Sequence, residues 1–229
     1  VPGAILFDLA NDGDKDWGDE PPYRRLGAQA ARAAALDFSL GTVGAGYGAV
    51  AGRLKGGIGS TSAQTGEGIA VGALVAVNSV GSAIIPGTDA FWAFPFEQDG
   101  EFGGRRPEAF APVPLDLPSD MKLPRAGENT TIAIVATDAA LDRSELARIA
   151  VMAADGFARA LRPVHTPFDG DAVFALSTAK HPLEGIRQRE VMRLGHIAAD
   201  CIARAIARGI YAATSLGAIK SYRDIYGGI

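Results

Sequence analysis

Asn129-Thr130 stands directly ahead of a strand-like run, Thr131-Ile132-Ala133-Ile134-Val135. A threonine in that place can do chemistry if the peptide bond before it breaks. Its hydroxyl then serves as a nucleophile, and the freed α-amine, with a reference pKa of about 7.7–8.0, serves as the base. In the uncut chain the same hydroxyl can attack the Asn129 carbonyl, move the acyl group from nitrogen to oxygen and let water free the amine. A strand behind the threonine would hold it rigidly, and a loose connector ahead could leave after cleavage. An ordinary turn before a strand uses the same residues, so the junction carries both readings.

Other residues could complete a site. Phe168-Asp169-Gly170-Asp171 places two carboxylates two residues apart, just before a strand. They read either as a solvated Asx turn or as a holder for a cation such as a substrate ammonium, a catalytic amine or Lys55. A small divalent metal also fits the pair, although so few carboxylates is low for calcium. Residues 41–60 contain eight glycines. Gly44-Ala45-Gly46-Tyr47-Gly48-Ala49 formally satisfies a G-x-G-x-x-A dinucleotide fingerprint. That fingerprint needs a strand before it and a sustained helix after it, and Gly52, Gly56 and Gly57 break any such helix. A glycine-rich lining that offers backbone N–H groups to a reacting carbonyl survives, with Lys55 projecting from it. The three histidines, His165, His181 and His196, have no zinc-site spacing and give a Ser-His-Asp triad little support. His196 reads as a partly buried structural residue.

Several elements must position these groups. Ala4 to Leu9 reads as a strand, followed by an acidic turn at Asn11-Asp12-Gly13-Asp14. Pro21-Pro22 introduces a helix over Tyr23 to Phe38. Val71 to Val80 reads as a buried strand. Residues 86–128 hold seven of the thirteen prolines and read as a long connector rather than a packed element. Beyond Thr130 the pattern becomes strand 131–136, a helix beginning near Asp142 with a capping box to Glu145, a strand over Ala172 to Leu176, and a helix from Leu183 to Ala212. Two strand-plus-helix halves therefore meet at the connector, giving layers of sheet and helix in one α/β domain.

Composition narrows the function. The chain has 229 residues, a net charge of −4 and one cysteine. No basic footprint for nucleic acid or anionic membrane is present. Cys201 allows no internal disulfide or thiolate cage and reads as buried packing. The uncharged stretch Ile69 to Ile85 is broken by glycine, Asn78 and serine, so no membrane span is expected. The opening Val-Pro-Gly runs at once into a strand-like segment, as though a preceding segment were missing.

The stretches AILFDL, PPYRRLGAQAA, GTVGAGYGA…LKGGIGS, VGALVAVNSVG, NTTIAIVATDAAL and RPVHTPFDGDAVFALST together resemble the self-processing peptidases that include β-peptidyl and D-amino-acid aminopeptidases. Within that group they most resemble the nylon-oligomer hydrolases. The resemblance implies a four-layer α/β/β/α sandwich like that of N-terminal-nucleophile hydrolases, cut between Asn129 and Thr130. Residues 1–129 would form the larger subunit, with its N-terminal part missing, and 130–229 the smaller. It implies Thr130 as nucleophile, Asn78 as oxyanion donor, Lys55 as a group that tunes or relays protons, Asp169 and Asp171 beside the Thr130 amine, and Tyr23 in the substrate pocket. The aminopeptidase branch usually has Ser after Gly at the cut and Ser-x-Glu where this chain has Asp169-x-Asp171. Those departures favour linear amide oligomers such as 6-aminohexanoate chains over β-peptides or D-amino-acid amides. No cofactor or metal, a homo-oligomer such as a tetramer, and a cytoplasmic location complete the expectation.

Overall fold

The computed structural model describes residues 3–9, 11, 14–109, 112, 116–117 and 129–227. Its centre is a four-stranded sheet in the order β3-β4-β5-β6. These strands are β3 (Gly57–Gln64), β4 (Ala70–Asn78), β5 (Thr130–Ala139) and β6 (Ala172–His181). β3, β4 and β5 run antiparallel, and β5 pairs with β6 in parallel. A parallel neighbour requires a crossover, which α2 (Arg143–Ala160) supplies. A short hairpin of β1 (Val50–Ala51) and β2 (Leu54–Lys55) precedes β3.

α2 starts as its sequence demands. The Asp142 side chain accepts the Glu145 N–H, and the Glu145 carboxylate accepts the Asp142 N–H, closing the expected capping box. α3 (Arg187–Ala212) crosses β3 and β4, and α2 lies over β6. The core sits between these helices and one sheet face, where Val71, Val75, Ala133, Val135, Phe157, Ile202 and Ile206 are buried. Cys201 is buried there as expected, its thiol directed to the Val71 carbonyl at 3.7 Å. The opposite sheet face is apolar but open, with Leu74 37% exposed, Ile134 37% and Leu176 44%. It is the face on which the second sheet of the expected sandwich would stack.

Some expectations are corrected. Residues 3–9 form no strand. The helix at Tyr23 is α1 (Tyr23–Arg32) and stops before Phe38, and it buries none of its residues. β3 was hidden within the glycine-rich stretch. The connector between 86 and 109 is packed in part: Phe91 and Phe102 meet edge-on at 5.5 Å in the core, and Glu101 pairs with Arg204 of α3. Residues 118–128 of that connector, with Gly127 and Glu128, lie outside the described residues, as do Asp12 and Gly13 of the acidic turn. His196 is exposed, not partly buried. The last described helix is α4 (Tyr222–Tyr226), whose Tyr222 packs on Phe91. Among the described residues no helix is long and apolar enough to cross a membrane.

Candidate active site

One end of the sheet collects most of the predicted residues, and strand direction explains why. β4 runs toward that end, while β3, β5 and β6 begin there. Lys55 ends β2 two residues before β3, Asn78 ends β4, Thr130 opens β5 and Asp171 immediately precedes β6. Asn78 and Thr130 are direct cross-strand partners, so their side chains share a face. Counting back along β4 in steps of two, that face also carries Ala76 and Leu74, so it is the one opposite the helices.

Thr130 is only 5% exposed. Its hydroxyl donates to the Asn129 carbonyl at 2.6 Å, and the Gly170 N–H donates to the same oxygen at 2.9 Å. The hydroxyl expected to be the nucleophile thus lies against the carbonyl of the bond expected to be cut, and that carbonyl also accepts from a backbone donor. An isolated bridge between Asn129 and Asp169 prolongs the β5–β6 pairing back past the start of both strands.

The two carboxylates have different work. Asp169 builds its turn, accepting from the Thr166 N–H at 3.0 Å and hydroxyl at 2.6 Å, and ties that turn to the end of β4 through the Val80 N–H at 3.1 Å. These bonds run back to Thr166 and across to Val80, not forward to residue 171 as in a solvated Asx turn. Asp171 accepts the Thr131 N–H at 2.9 Å and meets His165 Nδ1 at 2.7 Å. Burial pushes the Asp171 carboxyl above the usual carboxylate range, with the Asp169 charge adding to it against the Thr131 and His165 contacts. His165, whose ring also stands edge-on to Phe157, is a member of this cluster that sequence reasoning missed. The sequence reading weighed it only for zinc and a triad, not as a partner of Asp171, six residues on across a proline-containing turn.

Asn78 is oriented from two sides. Its Oδ1 accepts the Val50 N–H at 2.9 Å, and its Nδ2 donates to the Phe7 carbonyl at 2.9 Å. Lys55 is fully buried, and its ammonium donates to the carbonyls of Gly46, Ala49 and Gly56 at 2.7, 2.8 and 2.9 Å. The glycine-rich loop is therefore folded around this ammonium rather than around a phosphate, and Gly44–Gly46 makes only a short 3-10 turn. Lys55 pairs across the hairpin with Val50, the residue that holds Asn78. Burial lowers the Lys55 pKa to about 8, with the Asp8 carboxylate opposing the shift. Asp8 is the second residue that sequence reasoning missed. Tyr23 stands apart: it is 52% exposed on α1, its ring edge-on to Trp17 at 5.7 Å. Among the described residues, no group of His, Cys, Asp and Glu has the geometry of a metal site.

This arrangement can present a hydroxyl to a carbonyl and polarise that carbonyl with a backbone donor. Several known proteins are similar to this chain. An uncharacterized aminopeptidase of Mycobacterium tuberculosis is 42% identical over 238 residues, covering 100% of this chain and 67% of its own length. A solved protein from Pyrococcus horikoshii superposes with a TM-score of 0.59 at 28% identity, over 85% of this chain and 51% of that one. The L-aminopeptidase D-Ala-esterase/amidase of Ochrobactrum anthropi, a variant of the N-terminal-nucleophile hydrolase fold, superposes with a TM-score of 0.54 at 19% identity, over 85% and 55%. The last is a likeness of fold, and it bears out the expected class. The chain spans about two thirds of the length of the curated relative and about half of the solved ones. Residues 1–223 match the sequence profile of Peptidase family S58, and this chain belongs to that family.

Proposed function

We propose that this protein is an amide-bond hydrolase activated by cutting its own chain between Asn129 and Thr130. The larger subunit then ends at 129 and the smaller, 130–229, begins with the nucleophile. The single observation that carries this reading is the Thr130 hydroxyl resting 2.6 Å from the Asn129 carbonyl oxygen in an enclosed strand end. In the cut form the hydroxyl attacks a substrate carbonyl while the Thr130 amine takes the proton. Asn78 and backbone donors stabilise the oxyanion. The ammonium returns the proton to the leaving amine, and water opens the acyl-enzyme by the same route. Asp171, through its position beside Thr131, holds the new ammonium. Lys55 holds the glycine loop and, through Val50, the orientation of Asn78. Tyr23 contributes to the pocket only if α1 closes over the site. No cofactor enters this scheme.

For the substrate we infer linear amides, with 6-aminohexanoate oligomers favoured by the Asn129-Thr130 junction and the Asp169-x-Asp171 pair. A second reading fits at least as well, because the relatives are named aminopeptidases: β-peptides or D-amino-acid amides and esters with a free amine. The processed unit is proposed to assemble as a homo-oligomer, a tetramer for instance, in the cytoplasm. The test is a paired assay. Thr130→Ala should stay a single chain on a denaturing gel and hydrolyse neither substrate class, and two fragments from that variant would contradict the assignment. With the native protein, equal turnover of free-amine and N-blocked oligomers favours the nylon-type reading. Loss of activity on the blocked substrate favours the aminopeptidase.

A further inference from the structure

We propose that the Gly170 N–H is the oxyanion donor for self-cleavage, and that residue 170 lacks a side chain because the Thr130 hydroxyl occupies that space. This inference rests on the self-cutting reading above and names a group that neither the motif nor the fold assigns. Attack of Thr130 Oγ1 on the Asn129 carbonyl carbon turns the carbonyl oxygen into an oxyanion. In the uncut chain that oxygen has two donors among the described residues, Thr130 Oγ1 at 2.6 Å and Gly170 N–H at 2.9 Å. The first is consumed by the attack, because Oγ1 becomes the bonded atom. The Gly170 N–H is left to carry the developing charge. As the C–N bond breaks, the hydroxyl hydrogen ends on the Thr130 nitrogen and an ester joins Asn129 to Oγ1. Water then opens the ester to the Asn129 carboxylate and the free threonine.

The donor is held in place from both sides. Asp169, one residue earlier, is fixed by Thr166 and Val80, and Asp171, one residue later, by Thr131 and His165. A Cβ at Gly170 would lie 2.9 Å from Thr130 Oγ1 and 3.8 Å from the Asn129 oxygen. Any side chain would push the nucleophile off its carbonyl.

Three measurements test the proposal on the full chain. First, replacing the Asp169–Gly170 amide by a backbone ester removes the N–H and adds no atoms. Self-cleavage, followed by gel from the refolded precursor, should slow about 100- to 1000-fold, the usual loss for one oxyanion donor, while near-UV circular dichroism is unchanged. Cutting at the wild-type rate overturns the proposal. Should the ester chain fail the dichroism check, Gly170→Ala takes its place. It keeps the N–H but displaces Oγ1, so it should slow cutting by at least about 10-fold, and an unchanged rate overturns the steric half. Second, in the uncut Thr130→Ala chain, a through-hydrogen-bond NMR coupling between Gly170 15N and Asn129 13C′ is expected, and its absence overturns the assignment of the donor. Third, wild type must itself be cut before residue 130. If it is not, the self-cutting reading fails; if it is, and the ester variant keeps pace, only the Gly170 assignment fails.

Discussion

Replacing Lys55 with Met removes the buried ammonium while keeping most of the side chain's volume. Lys55 is fully buried, its three N–H groups are taken by the carbonyls of Gly46, Ala49 and Gly56, and burial lowers its pKa from 10.5 to about 8. The unfolded chain therefore holds this proton more tightly than the folded one. Stability is at its lowest from this source below pH 8 and rises as the pH is taken from 8 toward 10.5. Integrated over that shift, the folded form gains about 2.5 kcal/mol between about pH 7 and about pH 10. The comparison is best made on the uncut Thr130→Ala background, so that processing does not change the species. Urea unfolding at both pH values gives the gain for the parent, and the same pair of curves for Lys55→Met gives the gain without the ammonium. Cys201 and Tyr222 titrate in both chains and cancel. Lys55→Met should gain less by about 2.5 kcal/mol. Equal gains would refute the reasoning and place the Lys55 ammonium in contact with water.

Other consequences follow from the same contacts. Asn78→Ala leaves the part-buried Val50 N–H without its acceptor, so the uncut chain should lose about 1 kcal/mol or more in urea unfolding, and turnover should fall about 100- to 1000-fold if Asn78 feeds the oxyanion. Asp171 has its folded pKa raised, so it favours the folded state below its unfolded pKa and loses that contribution as pH rises through the folded value. Asp171→Asn lacks this acid-side support, and its urea stability should fall more steeply than the parent's between about pH 7 and about pH 4. Gly156→Ala would set a Cβ 2.3 Å from the Ala199 carbonyl oxygen and 2.7 Å from Ile202 Cβ, where α2 meets α3. It should cost about 1–3 kcal/mol of stability by thermal unfolding, while the folded fraction still cuts itself.

What the sequence made legible was local. The β5 run and the Asp142–Glu145 capping box each announce themselves within a few residues, and both stand where expected. β3 was illegible because its sequence, Gly-Ile-Gly-Ser-Thr-Ser-Ala-Gln, has no apolar alternation. Its helix-facing side is small because α3 runs against it: a Cβ on Gly59 would be 1.8 Å from the Ala205 carbonyl. The connector looked loose because Phe91 and Phe102 follow no period, yet each finds the core through contacts distant in sequence, Phe91 with Tyr222 for one. Ala4 to Leu9 has strand composition without a strand partner among the described residues. The site residues were brought together by strand direction, which a motif cannot state. For the same reason the field of Asp8 on Lys55 and the His165–Asp171 contact became visible only in the fold.

Intact-mass spectrometry of the purified native protein tests the central claim most directly. The account predicts two polypeptides, the smaller beginning with Thr130, whose masses add up to the full chain plus one water. A single mass spanning residue 130, from protein that hydrolyses amides, would contradict it.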